Sequence, residues 1–122
     1  MKIVYCLRRR PDISPEAFRH HWFEVHGPLV RSHQRALRIV RYIQVHTEAG
    51  ALTEKLRAFR GTAEPYDGVA EIWYESREAL ETLGRDPAAR AASRLLLEDE
   101  RRFVDFARSV ILAGEEQVLL TA

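Results

Sequence analysis

The order of its elements constrains this chain more than any single residue. Short runs of β-branched and aromatic side chains, which favour strands, alternate with helical patterns. Residues 2–9 are the first run, and Pro11 ends it. Ser14-Pro15-Glu16 opens a helix, with Ser14 as cap, Pro15 in its first turn and Glu16 favoured by the dipole. Phe18, Trp22, Val25 and Leu29 follow at spacings of three and four, one apolar face. His26-Gly27-Pro28 interrupts that helix: Gly27 suits a left-handed C-terminal position, and Pro28 the first turn of a second piece over about 28–36.

Residues 39–47 read as a second strand, with Ile39, Ile43 and Val45 on one face and Tyr42, Gln44 and His46 on the other. Residues 49–65 are a long connection with one or two helical turns around Leu52, Leu56 and Phe59, the kind of excursion that forms a lid or rim. Tyr66-Asp67-Gly68 turns into a third strand over 69–74. Ser76 caps the next helix, Gly84 and Pro87 break it, and 88–104 form another helical stretch. Val110-Ile111-Leu112 and Gln117-Val118-Leu119-Leu120 are expected as strand, with a bend at Gly114. The fold class is α+β: a ferredoxin-like βαββαβ with a four-stranded antiparallel sheet. Helices on one side leave the other side bare. A bare face carrying Tyr, Gln, His and Trp must be covered or wet, and a second copy of the sheet is the simplest cover. A homodimer is therefore expected.

With 122 residues, 46% apolar and 30% charged, the chain is sized and balanced for one globular domain. A net charge of +1 gives no reason to expect nucleic acid or an anionic membrane as partner. One cysteine, Cys6, excludes an internal disulfide and a cysteine-based zinc site; it reads as a buried structural thiol. No apolar stretch is long enough to cross a bilayer and no signal-peptide pattern opens the chain, so a cytoplasmic location is expected.

Four of five histidines lie between residues 20 and 33. His26, at the helix break and one turn from Trp22, reads either as a general acid or base or as a helix-end histidine bonded to carbonyls. His20 can pair with Glu24, and His20 and His21 diverge, so no metal site is expected. Haem, which needs one well-placed histidine and an apolar pocket, is an alternative. Tyr42, Gln44 and His46 form either a polar pocket lining or a dimer interface. Glu71, beside Trp73, needs a partner if buried. Asp99-Glu100-Arg101-Arg102 reads as a solvated, self-paired helix face, and Arg8-Arg9-Arg10 as a short basic patch that could hold an acidic ligand. No phosphate loop, nucleophile elbow or zinc-protease motif is present.

The run Phe18-Arg19-His20-His21-Trp22-Phe23-Glu24-Val25-His26-Gly27-Pro28-Leu29-Val30 resembles the first-helix signature of the EthD family. In that family an aromatic residue is followed four positions on by Trp and then by His-(Gly/Ala)-Pro-Leu. Arg41-Tyr42-Ile43-Gln44-Val45-His46 is similar to its second strand and Tyr66-Asp67-Gly68-Val69-Ala70-Glu71-Ile72-Trp73 to its third. Asp99-Glu100 with Phe103-Val104-Asp105 is similar to its last helix, and Glu115-Glu116-Gln117-Val118 to its end. The chain departs at Leu37-Arg38-Ile39, where the family often carries a glycine before the strand.

The resemblance implies a dimeric α+β barrel. Fungal relatives act without cofactor as dehydratases or decarboxylases on aromatic polyketides, and the wider superfamily includes monooxygenases, lactone isomerases and haem-degrading proteins. By the resemblance, a hydrophobic or aromatic small molecule is the expected ligand. His26 is the expected acid/base, with Tyr42 and His46 as partners and Phe18, Trp22, Trp73 and Tyr5 as walls. A non-catalytic binding module is the other reading.

Overall fold

A computed structural model describes residues 1–122. Strand β1 (Lys2–Leu7) leads to α1 (Pro15–His20), which runs without a break into a single wide π-helical segment, His21–His26. Helices α2 (Gly27–Ser32) and α3 (Gln34–Leu37) follow, then β2 (Ile39–His46), α4 (Ala51–Arg60) and β3 (Gly68–Tyr74). Helix α5 (Arg77–Thr82), α6 (Pro87–Glu100) and β4 (Val110–Gly114) complete the chain. The strands pair antiparallel in the order β2-β3-β1-β4, the ferredoxin-like α+β arrangement.

Local chemistry sets most boundaries. The hydroxyls of Ser14 and Ser76 accept from the backbone N–H groups of Ala17 and Ala79, capping α1 and α5. Asp86 caps α6 the same way, and Pro87 fills its first turn. Arg38 ends α3 in the left-handed conformation (φ 58°), which favours glycine. It bears a side chain at some backbone cost.

Three expectations change. Gly27 is right-handed (φ −55°): the helix does not end there but widens. Pro28 supplies the cause. It has no N–H to give to the carbonyl four residues back, and its ring crowds that carbonyl, so the preceding turn opens. The Gly27 N–H donates instead to the Trp22 carbonyl, five residues back. The wider turn moves the apolar stripe by one residue. Phe18, Trp22, His26 and Val30 are buried, while Val25 is exposed and Leu29 half-buried. Second, a bulge between Ile39 and Arg41 puts Ile39 on the same face as Tyr42 rather than with Ile43 and Val45. Third, residues 117–120 form no strand; β4 ends at Gly114.

The core has two centres on the helical side of the sheet. One joins Leu7, Phe18, Trp22, Ala70, Phe103 and Val104; the other joins Val30, Leu37, Ile39, Ala89 and Ala92. Tyr42 and Ile72 pack against both. Strand register places Tyr42, Gln44 and His46 on this covered face, opposite Ile72, Ala70 and Gly68. The bare face instead carries Ile43, Val45, Val69, Glu71, Trp73 and Arg41. Cys6 shares that face and is half-buried.

Candidate functional site

The π segment does something an α-helix could not. Residues five apart point about 140° from one another around an α-helix, but in a π turn they lie nearly one above the other. His21 and His26 are five apart, and both reach the same carboxylate. His26 Nδ1 lies 2.8 Å from Asp99 Oδ2, and His21 Nε2 lies 2.9 Å from Asp99 Oδ1. Gln44 of β2 secures the turn by donating from Nε2 to the Trp22 carbonyl at 2.9 Å.

Asp99 is 6% exposed and His26 likewise 6%, so the run at Asp99-Glu100 is not a solvated face. Helix α6 carries no basic residue in its last turn. Acidic side chains at a helix C-terminus oppose the dipole, and the cluster relieves that here. Burial raises the Asp99 carboxyl, but the bonds from His26 and His21 outweigh it, and the net displacement is downward. Burial also lowers the His26 imidazole against the pull of Asp99, so His26 is neutral at neutral pH. With Nδ1–H donated to Asp99, its Nε2 is a free acceptor. That atom lies 3.9 Å from Glu100 Oε2. Burial raises Glu100 to about 7, the Tyr5 hydroxyl pulls it back, and the Asp99 charge adds to the rise. Two neighbouring groups are thus displaced in opposite directions, which makes an acid and a base at neutral pH.

His26 and Glu100 open into a cavity of about 180 Å³ between α6, the π segment and the sheet. Tyr5, Trp22 and Tyr42 line it. Phe18 does not; it lies behind Trp22, ring centroids 5.5 Å apart. Trp22 is held by Gly68, where a Cβ would fall 2.3 Å from the indole. Burial raises the Tyr42 hydroxyl, which accepts from Gln44 Nε2 at 2.8 Å and keeps its own proton free to donate.

His46 lies elsewhere. Its ring packs 4.6 Å from the Trp22 indole, its Nε2 donates to Gln44 Oε1, and it lines an adjoining groove of about 490 Å³ along β2, which meets the cavity at Val30, Ile39 and Tyr42. Trp73 lies on the opposite face of the sheet, between Lys2 and Arg41, with its indole N–H donated to Glu116. It walls neither space. Glu71, beside it, pairs with Lys2 at 2.6 Å.

The basic triplet is spent within the chain. Arg8 bonds the carbonyls of Pro65 and Glu64, Arg9 pairs with Asp67 and Arg10 with Asp12. His20 is exposed. Helix α4 exposes Leu52, Leu56 and Phe59, and no residue of 49–65 lines the cavity or the groove.

No three His, Cys, Asp or Glu side chains are arranged to hold a metal ion, and no helix is long and apolar enough to cross a membrane. A haem does not fit these residues. Glu100 Oε2 stands 3.9 Å from His26 Nε2, the one nitrogen left to bind iron. The cavity is also below the roughly 300 Å³ where sites for drug-sized molecules begin.

Sheet order and site together define a class: ferredoxin-like α+β proteins with a buried imidazole–carboxylate pair beneath the sheet. The chain belongs to the EthD family, whose domain model matches residues 10–107. An EthD-family crystal structure from Bacillus halodurans C-125 matches with a TM-score of 0.62 at 20% identity, over 95% of this chain and 97% of that one. HapK from Hahella chejuensis matches over 100% of both chains, at 14% identity and TM-score 0.56. A hypothetical Arabidopsis thaliana protein matches at 16% identity and TM-score 0.54, over 98% of this chain and 90% of that one. At these identities the likeness concerns the fold.

Proposed function

We propose that this protein is a small homodimeric enzyme that binds a hydrophobic or aromatic molecule beneath its sheet and moves a proton on it without a cofactor. One observation carries the reading: His26, fixed by Asp99, and Glu100, raised to about 7, face one apolar cavity. Neutral His26 accepts the proton through Nε2, and Glu100 or the Tyr42 hydroxyl returns one to the developing oxyanion or leaving hydroxyl. Trp22 and Tyr5 wall the ring and exclude water. Dehydration and isomerisation next to a carbonyl both use this pairing. The bare sheet face, with Ile43, Val45 and Val69, supports a second copy as its cover.

Native mass spectrometry of the purified protein comes first: two chain masses plus a reproducible excess are expected, and the excess identifies the compound to assay. His26→Ala then cuts its turnover by about 10²–10⁴-fold while the dimer survives. Unchanged turnover removes His26 from the chemistry. Affinity without turnover in the parent chain makes the protein a binding module instead. A clean monomer removes the dimer, and a Soret band on adding hemin would reopen the haem reading.

A further inference from the structure

The chain carries nineteen lysines and arginines. Not one lines the cavity. Its 19 lining residues include 16 hydrophobic ones, and the others are His26, Ser93 and Glu100. The only group there able to carry charge near neutrality besides the imidazole is a carboxyl. Every element packed around Glu100 adds a neutral group or more negative charge: Tyr5 from β1, Tyr42 from β2, Tyr74 from β3, His26 from the π segment and Asp99 from α6. Each of the three tyrosine hydroxyls is raised, chiefly by burial and further by the Glu100 charge. They therefore remain protonated donors. Arg102, the cation paired with Asp99 (3.4 Å), is on the solvent side with a side chain 63% exposed.

Resting on the reading of this cavity as the ligand site, we propose that it selects an uncharged molecule of about one aromatic ring bearing a hydroxyl or carbonyl, and rejects carboxylates of the same shape. Size follows from volume: a cavity on the order of 150 Å³ holds benzene, and this one is about 180 Å³. Sign follows from the lining. An anion here would lose its water, find no cation and face Glu100, and an unpaired buried charge is among the costliest groups to place. A hydroxyl or carbonyl finds tyrosine donors and an imidazole or carboxylate acceptor.

Phenol and benzoate are the probes. Trp73→Phe leaves Trp22, a wall of the cavity, as the sole indole, and its fluorescence reports binding to the otherwise unchanged chain. Phenol is expected to saturate the signal, with benzoate at least about tenfold weaker at pH 7, a difference of roughly 1.4 kcal/mol. The gap widens from pH 6 to pH 8 as Glu100 ionises, and in Glu100→Gln it is smaller and no longer changes with pH over that range. Benzoate binding as tightly as phenol would overturn the charge selection and leave the cavity a ligand site. No saturable binding of either probe would overturn both.

Discussion

The two tryptophans sit on opposite faces of one sheet and obey different physics. Trp22 is 1% exposed, pressed on Gly68 and flanked by the His46 imidazole and the Phe18 ring. Trp73 is half-buried between two cations, with Lys2 4.5 Å and Arg41 4.6 Å from its ring. Around Trp22, polar groups are few, buried and displaced from their ordinary pKa values: His26 down, Glu100 up, Tyr42 up. Around Trp73 the ions pair near solvent. Glu116 is held down, first by the indole N–H. Both faces carry carboxylates. Only the closed face withholds water from them, and that is what turns charge into acid–base chemistry.

The sharpest test removes one carboxylate from each face. Asp99→Ala leaves two imidazole N–H groups without their charged acceptor and is expected to cost about 3–6 kcal/mol, at about 1.5–3 for each such bond. Glu71→Ala, which loses Lys2, should cost under about 1 kcal/mol. Urea unfolding compares them, and equal costs would dissolve the distinction between the faces.

Glu100 gives the next effect, and its sign is fixed. Its folded value of about 7 lies above its ordinary 4.5. Its stabilising contribution is therefore complete below about 4.5 and is lost as pH rises through 7. The span is on the order of 3 kcal/mol. Glu100→Gln has no such slope, so parent minus variant stability should fall by about that amount between pH 4.5 and 7.5. His26 acts the other way. Its lowered value makes stability fall as pH drops below about 6.5. A difference curve that is flat across this window would place Glu100 in water.

Gly68→Ala tests how tightly the closed face is packed. Its Cβ would fall 2.3 Å from Trp22, and either the indole or β3 must move. The expected cost is about 1–3 kcal/mol. Gly84→Ala meets nothing within 4 Å and should be neutral. Chemical denaturation of the two variants separates a crowded glycine from an idle one.

Much of this was legible in the chain. Strand composition, the Ser14 and Ser76 caps and Pro87 gave the βαββαβ order, because each is a local signal. The helix at 51–60 was legible too, though it runs ten residues rather than one or two turns. What failed was counting around Pro28. A strict 3.6-residue period assigns Val25 to the core, and only the widened turn brings His26 there. Asp99 and Glu100 were legible as charges but not as buried ones, since their partners lie more than 70 residues away. The signal was an acidic helix C-terminus with no cation in its last turn. Trp73 and the bare face were misassigned because alternation divides a strand's residues between two faces without saying which face the helices cover; the bulge moves only Ile39.

Trp73→Leu gives the smallest effect and bears on both faces. It removes two cation–π contacts near solvent, each worth about 0.5–1 kcal/mol, and keeps an apolar side chain on the strand. In the isolated chain the loss should be about 1 kcal/mol, and phenol affinity should be unchanged, because the sheet separates this indole from the cavity. Against a second copy the same residue counts for more. Tryptophan and arginine are the residues that anchor interfaces, and here they stack on a face with no cover of its own. Sedimentation should therefore show the variant dissociating at concentrations where the parent stays paired. A variant that weakens phenol binding without changing association would couple the two faces through the sheet, and the separation drawn between them would fail.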